Sequence, residues 1–298
     1  MSKPASVSSP LGRFRVFLDL IRFEHTIFAL PFAYSGMILA AAGRPSWGQF
    51  IWITVAMASA RTSAMALNRF ADRHLDARNP RTAARPIQRG LIGAGQVLVF
   101  ALLSMLLLGI AAYQLSTLAF WLCPGALFFL TVYSYTKRFS WLCHYVLGFT
   151  DALAPMGAWV AVSGTILSRS DWPAWWLSAG VMMWIGGFDI LYALQDIEVD
   201  RREGLFSIPA RFGVPASLWA ARFSHLAAAL LFAAAGWSAQ LGPLFWPGLV
   251  AVTILFIYQH RLVHPDDLTR IDVAFFTVNS YISLMLFAAI LGGIHWKW

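Results

Sequence analysis

The chain has 298 residues, of which 59% are hydrophobic and only 12% charged, with a formal net charge of +8 and a mean hydropathy of +0.63. Soluble domains carry about twice that charged fraction, so a soluble enzyme and a soluble binding module are both poor starting points. The positive charge gathers on one side of the apolar blocks, which removes the need for nucleic acid as a partner.

In chain order, the polar opening "MSKPASVSSP" leads a segment, 1–14, expected to be a disordered tail, and 15–298 reads as a single domain. Apolar blocks long enough to cross a hydrocarbon layer of roughly 30 Å, which takes about 20 residues of helix, follow one another. They lie at 21–42, 49–67, 97–114, 117–136, 145–164, 173–195, 221–238, 243–260 and 272–294, which predicts an all-α integral membrane protein of nine spans. The first block keeps Arg22, Glu24 and His25 at its entrance and lacks a cleavage site, so it is no signal peptide. Gly148 and Gly157 are expected to permit close helix approach.

With the N-terminus inside, the cytoplasmic loops hold Lys3, Arg13, Arg15, Arg22, the arginines from Arg69 to Arg89, Lys137, Arg138, Arg201, Arg202, Arg211, Arg222, Arg261 and Arg270. The other side holds only Arg44, Arg169 and Lys297. That bias fits the positive-inside rule, so the charge is largely topology, with attraction to anionic lipid or an anionic substrate as a second use. This reading places the chain in the inner, cytoplasmic membrane. Cys123 and Cys143 fall in the outer half of a span and in a cytoplasmic loop, which argues against a disulfide. His260 and His264 have helical ligand spacing, but Arg261 between them and Pro265 after them suggest a loop.

The chemistry gathers in two places. In "LNRFADRHLDARNPRTAARP", Asn68, Asp72 and Asp76 are each four apart, which stacks them on one helical face at the end of the second span. In "DILYALQDIEVDRREG", Asp189, Tyr192, Asp196 and Asp200 share a face after the sixth span, with Glu198 off it as a helper or solvent group. Both clusters close even-numbered spans and so face the same side. Carboxylate oxygens repel one another unless a cation joins them, and such donors suit Mg2+, which commonly bridges to phosphate. Two facing clusters could hold two Mg2+ ions, and two ions could neutralise a diphosphate and the charge growing on its leaving oxygen. Arg69, Arg73, Arg81, Arg85, Lys137, Arg138, Arg201 and Arg202 are natural donors to phosphate oxygens.

A diphosphate held by a lipid-embedded protein implies a hydrocarbon on its other end. Loss of diphosphate from an allylic carbon leaves a cation that needs a dry site and that an electron-rich ring attacks. Aromatic faces in the spans, among 14 Trp and 23 Phe, are available to stabilise it. The acceptor would be a small phenol or hydroxy-aromatic acid. Arg61 lies inside the second span, seven residues before Asn68. It is either a chamber group for an acceptor carboxylate or one half of a structural ion pair. Asp151 in the fifth span is either a cavity group or a helix–helix hydrogen-bonding one.

These residues carry a resemblance. "NRFADRHLDARNPRTAARP" resembles the first signature of the UbiA-type membrane prenyltransferases, and "DILYALQDIEVDRREGLFSIPARFG" resembles their second; "YSYTKRFSWLCHYVLG" is similar to their basic loop. The likeness covers roughly 15–295, and its wording is most similar to the 4-hydroxybenzoate polyprenyltransferases. It implies nine transmembrane helices around a central cavity with cytoplasmic cap loops. Asn68, Asp72 and Asp76 would hold one Mg2+ and Asp196 and Asp200 the other, while Arg73, Lys137 and Arg138 grip the phosphates. It implies transfer from a polyprenyl diphosphate to the ring of 4-hydroxybenzoate in ubiquinone biosynthesis. "LGFTDALAPMGAWVAV" is also similar to enzymes that prenylate 1,4-dihydroxy-6-naphthoate in the alternative menaquinone route. A membrane transporter is the reading from another class. One departure stands out: Arg69 occupies the place of the family's usual acid after the Asn.

Overall fold

The computed structural model describes residues 10–21, 23–264, 268, 270–271 and 273–296. The side chains of Glu24 and His25, and residues 1–9, lie outside what it describes. Twelve α-helices follow in chain order: α1 Pro10–Leu20, α2 Phe23–Ala40, α3 Trp47–Ala71, α4 Arg73–Arg78, α5 Ala94–Leu115, α6 Thr117–Thr136, α7 Cys143–Ser163, α8 Trp172–Ala193, α9 Ile197–Arg202, α10 Ile208–Ser238, α11 Phe245–Leu262 and α12 Asn279–His295. Helix α1 begins inside the stretch read from sequence as a tail. Among the described residues, seven helical segments are long and apolar enough to cross a membrane, and Ala29–Ala40 is a shorter apolar one. The protein is therefore an all-α, multi-pass membrane protein. In hydrocarbon every backbone polar group needs an internal partner, which helices supply within themselves.

Local signals set the helix ends. Ser46 caps α3 reciprocally with Gln49: the Gln49 backbone N–H donates to the Ser46 hydroxyl at 3.2 Å, and the Ser46 N–H donates to the Gln49 side chain at 2.9 Å. Ser116 ends α5 and caps α6, its hydroxyl accepting from the Ala119 N–H at 3.1 Å. A one-residue joint of this kind forces α5 and α6 to run antiparallel side by side.

Helix packing closes two rings that share one seam. Helices α2, α3, α5, α6 and α7 form one ring, and α2, α7, α8, α10, α11 and α12 the other. The shared seam between α2 and α7 is tight: a Cβ on Gly36 would overlap the carbonyl oxygen of Pro155. Gly148 does the same between α7 and α8, where a Cβ would overlap the carbonyl oxygen of Met182. Gly157 does not fulfil that expectation, because a Cβ there meets nothing within 4 Å. In the second ring Trp184 is fully buried, edge-on to Phe32 at 5.0 Å, and its indole N–H donates to Asn279 at 2.8 Å.

Two expectations about loops change. His260 lies within α11, where its Nε2 is 2.9 Å from Nδ1 of His225, so it pairs across to α10 and not with the exposed His264. The predicted span 221–238 begins earlier, because "SIPARFG" is already helical from Ile208. Gly213, at φ 79°, interrupts that helix in a conformation that residues with a Cβ rarely adopt. Cys123 and Cys143 are both free thiols.

Candidate active site

The first cluster straddles a joint. Helix α3 ends at Ala71, and Asp72 (φ −90°, ψ 3°) links it to the short α4. The helical register survives: the Asp72 N–H donates to the Asn68 carbonyl at 2.9 Å and the Asp76 N–H to the Asp72 carbonyl at 2.8 Å. The second cluster also departs from a continuous helix. After α8 the chain tightens into a 3-10 turn, Leu194–Asp196, before α9. Asn68, Asp72, Asp76, Asp189, Tyr192, Asp196 and Asp200 nevertheless all line one cavity of about 790 Å3.

Asp72 and Asp76 are only 3% and 6% exposed, and buried charges need partners. Each carboxylate has a cation or donor supplied from another part of the chain. Lys137 Nζ lies 2.8 Å from Asp72 Oδ2, and Arg138 Nη2 lies 2.9 Å from Oδ1. Arg138 also donates to the carbonyls of Ser134 at 2.8 Å and Ala71 at 2.9 Å, which ties the end of α6 to the α3–α4 joint. Asn68 donates to Asp72 at 3.3 Å. Arg85 donates to Asp76 at 2.6 Å. Asp196 accepts from Asn79 at 2.9 Å and from Arg81 Nε at 3.1 Å, with Arg81 Nη2 on its other oxygen. The Arg81 Nη1 donates to the Tyr192 hydroxyl at 2.9 Å. The Ser207 hydroxyl, which also caps α10, donates to Asp200 at 2.8 Å.

The loop after α4 thus bridges the two clusters. Burial alone would lower the basicity of the Arg81 guanidinium, but the Asp196 carboxylate, with Tyr192 and Asp76 nearby, holds it above its ordinary value. It therefore keeps its charge across the whole working range of pH.

The remaining residues singled out from sequence divide. Arg61, Arg69 and Lys137 line the cavity. Arg69 is buried in its wall. Arg61 Nη1 donates to Asp151 Oδ1 at 3.3 Å, and its Nε is buried without a hydrogen-bond partner. Arg73, Arg138 and Arg201 are not in the cavity wall. Arg73 folds over the Phe70 ring at 4.5 Å and donates to the Phe70 carbonyl at 2.7 Å. Arg201 is exposed and donates to the Ala210 carbonyl at 3.0 Å. Glu198 is exposed as well.

Among the wall residues not named from sequence, three bear directly on the clusters. Asn79 belongs to the basic loop but follows no period. Ser207 lies in "SIPARFG", where its capping position was the available signal. His144 is buried, with Nδ1 2.7 Å from Asp189 Oδ2, and its Nε2 accepts from the Ile208 N–H at 3.2 Å. That backbone donor puts the ring proton on Nδ1, so the imidazole serves to orient Asp189.

As a donor set for a metal, the wall offers oxygen from Asn68, Asp72, Asp76, Asp196 and Asp200, which is the chemistry Mg2+ takes. Among the described residues no three His, Cys, Asp or Glu side chains are gathered closely enough to hold an ion by themselves. Ligand oxygens from a bound phosphate would have to complete the shell, as is common for Mg2+.

A lipid-embedded helical bundle with an acid-and-arginine cavity where α3 and α8 end defines a class of membrane enzymes acting on anionic, hydrocarbon-tailed substrates. The chain belongs to the UbiA prenyltransferase family, whose sequence profile matches residues 29–285. A 4-hydroxybenzoate octaprenyltransferase of Tolumonas auensis is 30% identical over 253 residues, covering 85% of this chain and 86% of its own. A UbiA homolog from Aeropyrum pernix K1, solved in its apo form, superposes with a TM-score of 0.82 at 31% identity, over 90% of this chain and 97% of that one. A UbiA homolog from Archaeoglobus fulgidus bound to GPP and Mg2+ shares the fold, with a TM-score of 0.71 at 18% identity over 92% of this chain and 99% of that one.

Proposed function

We propose that the protein transfers a prenyl chain from an allylic prenyl diphosphate to a ring carbon of 4-hydroxybenzoate, in ubiquinone biosynthesis. The observation that carries this reading is the single cavity into which two carboxylate clusters, far apart in sequence, bring their side chains together with Lys137, Arg81 and Arg85. Family membership and the names of the similar curated enzymes support the acceptor. With α2 and α11 counted, the bundle has nine spans, and the α4 and α9 segments cap the cavity on the cytoplasmic side. Residues 15–298 act as one domain.

In this account Asn68, Asp72 and Asp76 face Asp196 and Asp200 across the diphosphate. Mg2+, when bound by these oxygens, would neutralise the diphosphate and make it a better leaving group. Lys137, Arg81 and Arg85, which line the cavity, exchange carboxylate for phosphate oxygens as the donor enters, while Arg138 holds Asp72 from behind, so the donor's charge is met by side chains already in place. Arg69, buried beside Asn68, adds one fixed cation where the family usually has an acid. The allylic C–O bond breaks with its electron pair leaving on the diphosphate. The acceptor ring then forms the new C–C bond and loses its proton. Trp184, Phe188 and Phe276 line the same cavity and put aromatic rings near the allylic cation. Arg61 has a donor to spare and takes the acceptor carboxylate.

The test is an assay of detergent-purified protein with geranyl or farnesyl diphosphate and Mg2+, offering 4-hydroxybenzoate and 1,4-dihydroxy-6-naphthoate side by side. Mass spectrometry should find prenylated hydroxybenzoate. Prenylated naphthoate alone would move the enzyme to the alternative menaquinone route, a reading that the "LGFTDALAPMGAWVAV" wording favours. No product from either would remove the aromatic-prenyltransferase reading.

A further inference from the structure

Four aspartates that line the cavity, Asp72, Asp76, Asp151 and Asp196, each face an arginine or a lysine. Asp189 lines the same cavity and, among the described residues, faces neither. Its side-chain partner is the buried His144, whose Nδ1 lies 2.7 Å from Oδ2. His144 Nε2 accepts from the Ile208 N–H at 3.2 Å, so the imidazole carries one proton and no charge. A neutral donor fixes a carboxylate without cancelling its charge. With Oδ2 on His144 and the side chain 25% exposed, the other carboxylate oxygen is left for the cavity. Asp200 also lacks a salt bridge and accepts from Ser207, but it lies four residues past Asp196 on α9, among the metal donors.

Depth adds a second argument. Asp189 precedes Asp196 by seven residues, and Arg61 precedes Asn68 by seven. At about 1.5 Å per helical residue, both lie roughly 10 Å deeper than the oxygens assigned to the metal. Trp184 and Phe188 come from the same stretch of α8 and line the cavity with Asp189. An acceptor held by its carboxylate on Arg61 meets the allylic carbon at this level. Attack by its ring leaves the ring cationic, with a hydrogen and the prenyl group on one carbon. That proton needs a base, and a site that keeps water from an allylic cation offers none from solvent. A carboxylate beside a fixed cation is a weaker base than one without.

We propose that Asp189 is the catalytic base that takes the ring proton, and that His144 is the residue that positions it. The proposal rests on the prenyl-transfer reading above. The C–H electron pair returns to the ring and the proton goes to the open Asp189 oxygen. The carboxyl then gives that proton to the departing diphosphate, which restores the anion.

Ring deuteration separates this role from a structural one. The acceptor is deuterated at the ring carbons beside its hydroxyl, and kcat is measured with labelled and unlabelled forms separately. Wild-type kcat should be the same for both. Asp189→Asn should lower kcat about 10²-fold or more and make it isotope-sensitive, because proton loss becomes the slow step. Its binding of geranyl thiolodiphosphate with Mg2+ should stay that of the wild type. His144→Phe should show the isotope effect too, and His144→Asn, whose amide N–H stands in for Nδ1–H, should recover rate. If Asp189→Asn does not fold, the His144 pair carries the same test. An Asp189→Asn enzyme that stays isotope-insensitive would overturn the proposal in favour of the diphosphate as base. A folded variant that loses donor binding would overturn it by placing Asp189 in the donor site. These outcomes leave prenyl transfer standing, whereas wild-type protein that prenylates no aromatic acid would refute that reading and the proposal with it.

Discussion

Arg81 and Asp196 are 115 residues apart in the chain and grip each other side by side, Nε to Oδ1 at 3.1 Å with Nη2 on the other oxygen. Asn79 shares Oδ1 and Tyr192 holds the far end of the guanidinium. A bidentate arginine is a strong competitor for a carboxylate that a divalent ion also needs. Arg81→Gln should therefore tighten substrate-free Mn2+ binding several-fold, read by electron paramagnetic resonance titration. The same change should slow prenyl transfer by about 10²-fold, the scale of losing one donor to developing charge. Metal affinity that stays constant would mean that the pair does not gate the site.

Asp72 carries two cations, Lys137 and Arg138, and is almost fully buried. Asp72→Asn keeps the shape and the amide contact to Asn68 but removes the charge both cations face. Turnover should fall by about 10²-fold or more, while gel filtration and circular dichroism stay those of the wild type. Near-normal rates would take Asp72 out of the reacting site.

Arg69 is the side chain that sets this chain's first cluster apart. Restoring an acid with Arg69→Asp places a further oxygen donor beside Asn68. The Mg2+ concentration that gives half-maximal activity should drop several-fold. No change would make position 69 a bystander.

The seam between α2 and α7 gives a stability test with an internal control. Gly36→Ala puts a methyl group onto the Pro155 carbonyl oxygen, a backbone atom that cannot move aside alone, and overpacking of this kind costs about 1–3 kcal/mol. Its thermal midpoint in detergent should fall. Gly157→Ala has open space for the same methyl and gains helix propensity of about 1 kcal/mol, so its midpoint should hold or rise.

The sequence made some of this legible and hid the rest for physical reasons. Blocks of apolar residues and the four-residue spacing of Asn68, Asp72 and Asp76 are periodic, and periodicity survives even where α3 gives way to α4 at Asp72. Paired clusters of carboxylates at the ends of apolar blocks contradict the ordinary composition of a membrane loop, so they stood out. Which cation faces which carboxylate was not readable. Arg81 on Asp196 and Arg85 on Asp76 depend on how one aperiodic loop folds back, and Arg73 and Arg201, equally basic, turn elsewhere. His260 reads as a loop residue because Arg261 and Pro265 beside it are the only signals visible locally, whereas it lies in α11 and its partner His225 comes from another helix. Gly157 carried no local sign of facing a hollow, unlike Gly148, which faces backbone.

The central claim is that the two carboxylate clusters hold one diphosphate between them. It is tested most directly by a double-mutant cycle on binding of a non-hydrolysable geranyl thiolodiphosphate with Mg2+, using Asp72→Asn, Asp196→Asn and both together. Groups that act as one unit are strongly non-additive. Each single change should weaken binding about tenfold or more, and the double variant should bind no worse than the weaker single. Losses that simply add, or a single variant that binds like wild type, would contradict a shared site.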